Sequence, residues 1–424
     1  MSSYLFECID CHKHYRPDEV KYLCPECSAA ARPMEPLAGV LKCNFNYRAL
    51  AERFDPQTLK CRSETGLGRW AELLPLDSID SLPPLITAAT PLRAAVNLRR
   101  EFGLDALWIK DDTVQPTASF KDRASALAVA VARERGIDTV ATASTGNAAT
   151  ALAGQCASVG MKSVIFAPAS APPAKLTQIA VYGSLLMPVK GTYDEAFELS
   201  IKACEEFGWF NRNTAYNPFT IEGKKTAALE IWEQLGYMAP DWVVVPTGDG
   251  VILAGIEKGF SDMRAMGLIK RIPRLAAVQA SGCAPIVRAF DAGIKTIVPE
   301  KKPKTIADSI CVGVPRAGRW ALQAIFSSVG TAVAVEDDEI LEAISILGRT
   351  SGVFAEPAAA TSIAGLKRLA ADGTIKRGET VVALVTGNGL KDIPAAARSV
   401  SMPKPIECTL DAVRRVVERA SGSA

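Results

Sequence analysis

Short apolar runs alternate with longer amphipathic stretches over most of this chain. Ala106–Ile109, Thr139–Ala143, Ser163–Phe166, Ser184–Val189, Trp242–Val245, Leu275–Gln279, Thr331–Val335 and Val381–Val385 are each too short for a helix and nearly continuous in apolar side chains. That pattern predicts strands buried on both faces. Between them lie stretches of helical length, Ala149–Val159, Tyr193–Phe207, Thr226–Leu235, Asp337–Gly348 and Pro357–Leu369. Strand and helix in regular alternation predict parallel α/β sheet covered on both faces. The end of the chain reads as a basic helix, Leu410–Arg419, followed by a disordered Ser-Gly-Ser-Ala.

Composition narrows the class. At 424 residues two or three folding units are expected. A net charge of +2 argues against a nucleic-acid or membrane footprint. No basic-then-apolar leader opens the sequence and no apolar run reaches the length of a bilayer span, so a cytoplasmic location is expected. Its 11 cysteines are then reduced thiols, or metal ligands where they cluster. The only histidines are His12 and His14. Catalysis in the main body therefore has no histidine base, and proton transfer falls to lysine, carboxylates or a cofactor.

The chemistry should sit where strands end and helices begin. Gln115-Pro116-Thr117-Ala118-Ser119-Phe120-Lys121-Asp122-Arg123 follows one strand and opens a helix. A lysine there, desolvated and near the positive end of a helix dipole, holds its proton less firmly and suits Schiff-base chemistry; the other reading is a first-turn lysine in a surface charge cluster. Ser144-Thr145-Gly146-Asn147-Ala148 suits a carboxylate, and Thr247-Gly248-Asp249-Gly250-Val251 suits a phosphate held by backbone amides, with the Asp249 side chain turned away. Each loop also reads as an ordinary turn. Leu253 stands where a dinucleotide fingerprint needs its third glycine.

Near the start, Cys8-x-x-Cys11 and Cys24-x-x-Cys27 are separated by twelve residues. Two such knuckles present four thiolates to one tetrahedral ion and predict a structural zinc ribbon, with His12 and His14 solvated. Asp10, Asp18, Glu19 and Glu26 leave this segment no basic face for nucleic acid.

Taken in order, Ala89-Thr90-Pro91-Leu92, Pro116–Arg123, Ser144–Asn147, Asn217-Pro218 with Glu222–Thr226, Pro246–Gly250, Gly352–Ala358 and Thr386–Asp392 resemble the fold-type II pyridoxal-phosphate enzymes, and among them the threonine synthase branch. The resemblance covers about residues 85 to 395, and a zinc-ribbon-like segment is also familiar in that branch. It implies two three-layer domains with parallel or mixed sheets. These are a large cofactor domain from 41–124 and 226–405, and a small mobile domain, 125–225, that closes over the substrate. A zinc-ribbon-like segment at 1–40 and a C-terminal helix and tail at 406–424 complete the chain.

It further implies that Lys121 carries the cofactor as a Schiff base and shuttles the α-proton. Asn147 would bond the cofactor's ring oxygen, Thr247 to Val251 its phosphate, and Thr386 the pyridine nitrogen, with Ser144 and Thr145 on the substrate carboxylate. The implied reaction is O-phosphohomoserine plus water to threonine plus phosphate, in a homodimer. A related dehydratase, ammonia-lyase or β-replacement activity on threonine, serine or phosphoserine is the alternative. Three positions depart from the family pattern: Ala118 for a glycine, Asn388 for a histidine, and Thr220 for an arginine that helps hold the substrate phosphate. Lys224, Lys225 and Arg212 are the cations available to compensate.

Overall fold

The computed structural model describes residues 4–29, 32, 34–52, 54–169, 171 and 173–421. Of the closing tetrapeptide expected to be disordered, residues 422–424 lie outside the described residues. Among the described residues three sheets organise the chain. The first pairs β1 (Tyr4–Cys8) with β2 (His14–Tyr15) and β3 (Leu41–Phe45), all antiparallel. The main sheet uses β4 (Leu92–Ala94), β5 (Ala106–Asp111), β10 (Trp242–Pro246), β11 (Arg274–Ala280), β12 (Thr331–Val335) and β13 (Thr380–Val385). Its order is β12-β11-β10-β13-β5-β4, parallel except for the β4 edge. The third sheet is all parallel, in the order β8-β7-β6-β9, from β6 (Thr139–Ala143), β7 (Lys162–Pro168), β8 (Leu185–Val189) and β9 (Phe210–Asn211).

Every residue of β6 and β10 is buried, the state expected of parallel strands covered by helices on both faces. Val243, Val245, Leu275 and Ala277 face one apolar layer, while Val244, Ala276, Val278 and Val381 face the other. Among the described residues no helix is long and apolar enough to cross a membrane.

The limits read at 124/125 and 225/226 both fall inside helices, Lys121–Glu134 and Phe219–Gln234. The second helix starts seven residues before the expected Thr226. It is buried from Phe219 to Trp232, so it shows no amphipathic period by which its start could be recognised. These two helices meet backbone to backbone at Gly223, where a built Cβ would stand 2.2 Å from the Arg123 carbonyl oxygen. Only glycine admits that approach. Lys121 on the first helix and Lys224 on the second line one cavity.

Candidate active site

Lys121 is positioned by a backbone zipper. Phe120 N–H donates to the Thr386 carbonyl at 2.9 Å, Ser119 bridges Gly387, and Asn388 N–H donates to the Ala118 carbonyl at 3.0 Å. Ala118 stands at φ +65°, so the family's glycine turn is kept here by an alanine in the left-handed region. That costs on the order of 1–2 kcal/mol, which the zipper must offset. The Asn388 side chain accepts Leu390 N–H at 2.9 Å; it holds the next turn and does not line the cavity.

Lys121 opens into a cavity of about 250 Å³. Ser144, Thr145, Asn147 and the whole Thr247–Val251 loop line the same space. Two helix N-termini lie at it, Asn147–Ser158 and Val251–Ala265, and no side chain caps either one. Their amides remain available to anions. In the 247–251 loop a built Cβ on Gly248 would lie 2.8 Å from Ile310 Cα, and one on Gly250, at φ +83°, 2.8 Å from Ala321 Cβ. A bare backbone cradle at a helix start fits the phosphate of pyridoxal phosphate. The Thr247 hydroxyl donates to the Val245 carbonyl at 2.9 Å, which leaves the backbone as the loop's contribution. The Asp249 carboxylate accepts Arg316 N–H at 3.1 Å and is raised by burial, which softens its conflict with a phosphate.

Thr386 is 1% exposed and is joined to the residue before Lys121 by the Phe120 amide, which donates to its carbonyl. Asn147 Nδ2 donates to Glu356 Oε1 at 2.8 Å, and the Glu356 carboxyl is raised by burial, against the opposing charge of Lys121. Glu356 lay inside a matched segment, but nothing in the sequence marked it as a partner of Asn147.

The cavity is rich in cations. Burial pushes the Lys121 ammonium down, Arg212 adds to the effect, and Glu356 and Asp249 oppose it. Arg212 follows β9; its Nε donates to Ser125 Oγ at 3.0 Å while its buried Nη2 has no partner. Burial pushes this guanidinium down to about 10. Lys224 reaches only the Thr220 carbonyl at 3.3 Å and Thr214 Oγ1 at 3.4 Å, and burial followed by Arg212 and Lys121 holds it well below its usual value. Lys225 points elsewhere, to Asp262 at 2.8 Å and Glu222 at 2.5 Å. Thr220 is fully buried, donates to the Asn217 carbonyl at 2.8 Å, and is not on the wall. Tyr193 and Asp308–Val312 also line the cavity, without any pattern by which the sequence could have announced them.

In the N-terminal sheet, Cys8, Cys11, Cys24 and Cys27 converge, with all four sulfurs within 4.8 Å of one another. The Cys8–Cys27 and Cys11–Cys24 separations are both 3.8 Å. A tetrahedron of bonds of about 2.3 Å has edges of roughly 3.8 Å, so the four sulfurs fit a zinc ion. His12 and His14 are exposed and face Glu7 instead.

A backbone cradle for phosphate, a depressed lysine at a helix start and an asparagine over the same cavity define a fold-type II pyridoxal-phosphate-dependent enzyme. The model of the family described as "Pyridoxal-phosphate dependent enzyme" matches residues 85–387. The chain is 39% identical to the threonine synthase of Methanocaldococcus jannaschii, over 98% of this chain and 99% of that one. It is 35% identical to the threonine synthase of Methanosarcina acetivorans, over 98% of each. Among solved structures, threonine deaminase isoform 2 of Solanum lycopersicum superposes with a TM-score of 0.62 at 23% identity, covering 80% of this chain and 85% of that one. Maize serine racemase does so at 0.62 and 21%, covering 79% and 93%. These two establish the fold. The chain belongs to the threonine synthase family of pyridoxal-phosphate-dependent lyases.

Proposed function

We propose that the cavity converts O-phosphohomoserine and water to threonine and phosphate. The observation that carries this reading is the pair Arg212 and Lys224, two buried cations on the cavity wall without an acid partner in a salt bridge among the described residues. They are surplus to a cofactor phosphate already cradled by backbone amides, and they suit a substrate that brings a second dianion. Bound pyridoxal phosphate supplies an electron sink for the carbon that loses its proton. The chain's own groups do the rest. The amides and hydroxyls of Ser144 and Thr145 hold the substrate carboxylate, and Asn147, steadied by Glu356, holds the cofactor's ring oxygen. Lys121, with its ammonium pushed down, takes the proton from Cα and returns one later. Arg212 and Lys224 stabilise the charge on the departing phosphate.

Closure of the 125–225 unit over the substrate is supported by polar contacts across the cleft. Lys391 Nζ donates to Gln178 Oε1 at 2.9 Å, Asn147 pairs with Glu356, and Arg316 pairs with Asp194. Closure would keep bulk water from the reacting carbons.

Arg212→Gln is expected to raise KM for O-phosphohomoserine ten- to hundred-fold, the equivalent of about 1.5–3 kcal/mol for one charge-assisted contact. Cofactor absorbance should be retained, and phosphate release measured against substrate concentration reads the effect. Thr220, in place of the family arginine, favours the dehydratase alternative. Ammonia release from threonine or serine, with no phosphate release from O-phosphohomoserine, would establish that alternative and remove the named substrate.

We also propose one structural zinc per chain on Cys8, Cys11, Cys24 and Cys27. Tyr15 supports the site through its hydroxyl, 3.1 Å from the Cys24 sulfur. Metal analysis of the purified protein should find it, and Cys24→Ser should lose it and lower Tm while leaving the cofactor bound. A metal content of zero in the parent protein would rule the site out.

A further inference from the structure

Another cavity, of about 350 Å³, opens between the cysteine-knuckle segment and the helix Tyr193–Phe207. It shares no residue with the active-site cavity and is large enough for a small ligand. Lys21, Tyr22 and Pro25 form one side, next to the second knuckle. Ile201 and Glu205 form the other; four residues apart, they share one face of the helix. Asn211, in β9, also lines the cavity and is 1% exposed. Its Nδ2 is buried with no hydrogen-bond partner among the described residues. The Cys204 thiol beside it is a weak acceptor. A buried amide donor in that state is completed by an acceptor from outside the chain.

The rest of the lining says what kind of molecule fits. Lys21 brings a cation on one side, its ammonium 5.3 Å from the Tyr22 ring centroid, and Glu205 brings an anion on the other. Both are exposed, and among the described residues no salt bridge engages either one. Between them the cavity is aromatic and apolar: the Tyr22 and Tyr216 rings stand 5.0 Å apart, with Leu23 and Ile201 beside them. Opposite charges kept apart across an apolar space suit a zwitterion with an apolar side chain. Its carboxylate would accept from Asn211 Nδ2 and pair with Lys21, and its ammonium would pair with Glu205.

We propose that this cavity is a regulatory site for an apolar α-amino acid, and that its occupant weakens binding of O-phosphohomoserine. The two cavities are joined by hydrogen bonds through Asn211. Its N–H donates to the Tyr22 hydroxyl at 2.9 Å, and its Oδ1 accepts Asn213 N–H at 2.7 Å. Asn213 Oδ1 in turn accepts Ala143 N–H at 2.8 Å and the Thr142 hydroxyl at 3.1 Å, and both of those residues line the active-site cavity. Arg212, next in the chain, lines it too. An amino acid that draws the Asn211 amide toward itself therefore pulls on the Arg212 side of the active site. The effect on the substrate rests on the phosphate-holding role of Arg212, whereas binding of the amino acid does not.

Equilibrium dialysis of the holoenzyme against labelled L-isoleucine should find saturable binding. 3-Methylpentanoate, which lacks the ammonium, and 2-methylbutylamine, which lacks the carboxylate, should each bind about ten-fold more weakly or worse. Lys21→Met and Glu205→Gln should weaken isoleucine by about the same factor while kcat and KM in its absence stay unchanged. With the parent enzyme, KM for O-phosphohomoserine should rise about five-fold and then level off as isoleucine saturates. Absence of saturable binding would overturn the site, and so would binding that both substitutions leave undisturbed. A KM that climbs in proportion to isoleucine without levelling would place the amino acid in the active site and overturn it as well. Saturable binding with an unmoved KM would overturn the coupling to Arg212. If O-phosphohomoserine is not turned over at all, the substrate reading fails, and dialysis still decides the site.

Discussion

Lys121→Ala is expected to reduce turnover by about 10⁴-fold or more, because it removes both the covalent attachment and the group that moves the α-proton. The structure makes this a sharp test, since a second lysine with a strongly depressed ammonium, Lys224, lines the same cavity. The two are distinguished by their surroundings. Lys121 stands at a helix start beside Glu356 and the Thr386 strand end, whereas the Lys224 ammonium is directed at Thr214 and the Thr220 carbonyl. Borohydride treatment and peptide mapping should find the cofactor on residue 121, and Lys121→Ala should lose visible absorption with its circular dichroism unchanged. Cofactor mapped to residue 224 would reverse the two roles.

Arg123→Ala should cost stability instead, on the order of 3–5 kcal/mol. Its guanidinium is fully buried and shared between Asp112, at 2.7 and 3.0 Å, and Glu230, at 2.6 and 2.9 Å. Thr90 and Thr226 complete the set at 2.8 and 3.0 Å. Truncation strands two buried carboxylates; Lys110, 2.5 Å from Glu230, covers only one of them. Arg123→Lys should recover little, since an ammonium cannot serve both partners in the fork geometry.

Urea unfolding checks the size, and an unchanged midpoint would refute the network's importance. Acid should weaken the same cluster. Burial alone would raise Glu230, but Arg123 and Lys110 outweigh it and hold the carboxyl at about 2, below its ordinary 4.5. A folded value below the unfolded one gives stability that is complete above pH 4.5 and is lost as pH falls toward 2.

That network also shows how far motif reading reaches. Thr90, Arg123 and Thr226 each belong to a stretch shared with the family, and each supports the scaffold by holding β5, the Lys121 helix and the Phe219–Gln234 helix to one another. A residue type in a matched stretch identifies a shared structure without saying whether the side chain touches substrate. Thr386 illustrates the same limit: its stretch was legible, but the burial of its side chain was not.

By itself the sequence determined the alternation of buried strands and helices, the lysine at a helix start, the glycine loop at another helix start and the four clustered cysteines. All of these are local: apolar runs, glycines in a short loop and paired knuckles carry their meaning within a few residues. Only the tertiary structure decided which cations line the cavity. Lys224 and Lys225 are neighbours in the chain, yet adjacent side chains on a helix point about 100° apart, since a turn holds about 3.6 residues. One therefore enters the cavity and the other a buried cluster with Glu222 and Asp262. Arg212 joins Lys224 because the third sheet brings the end of β9 over the same helix. Direction of this kind is set by packing, and no local pattern records it.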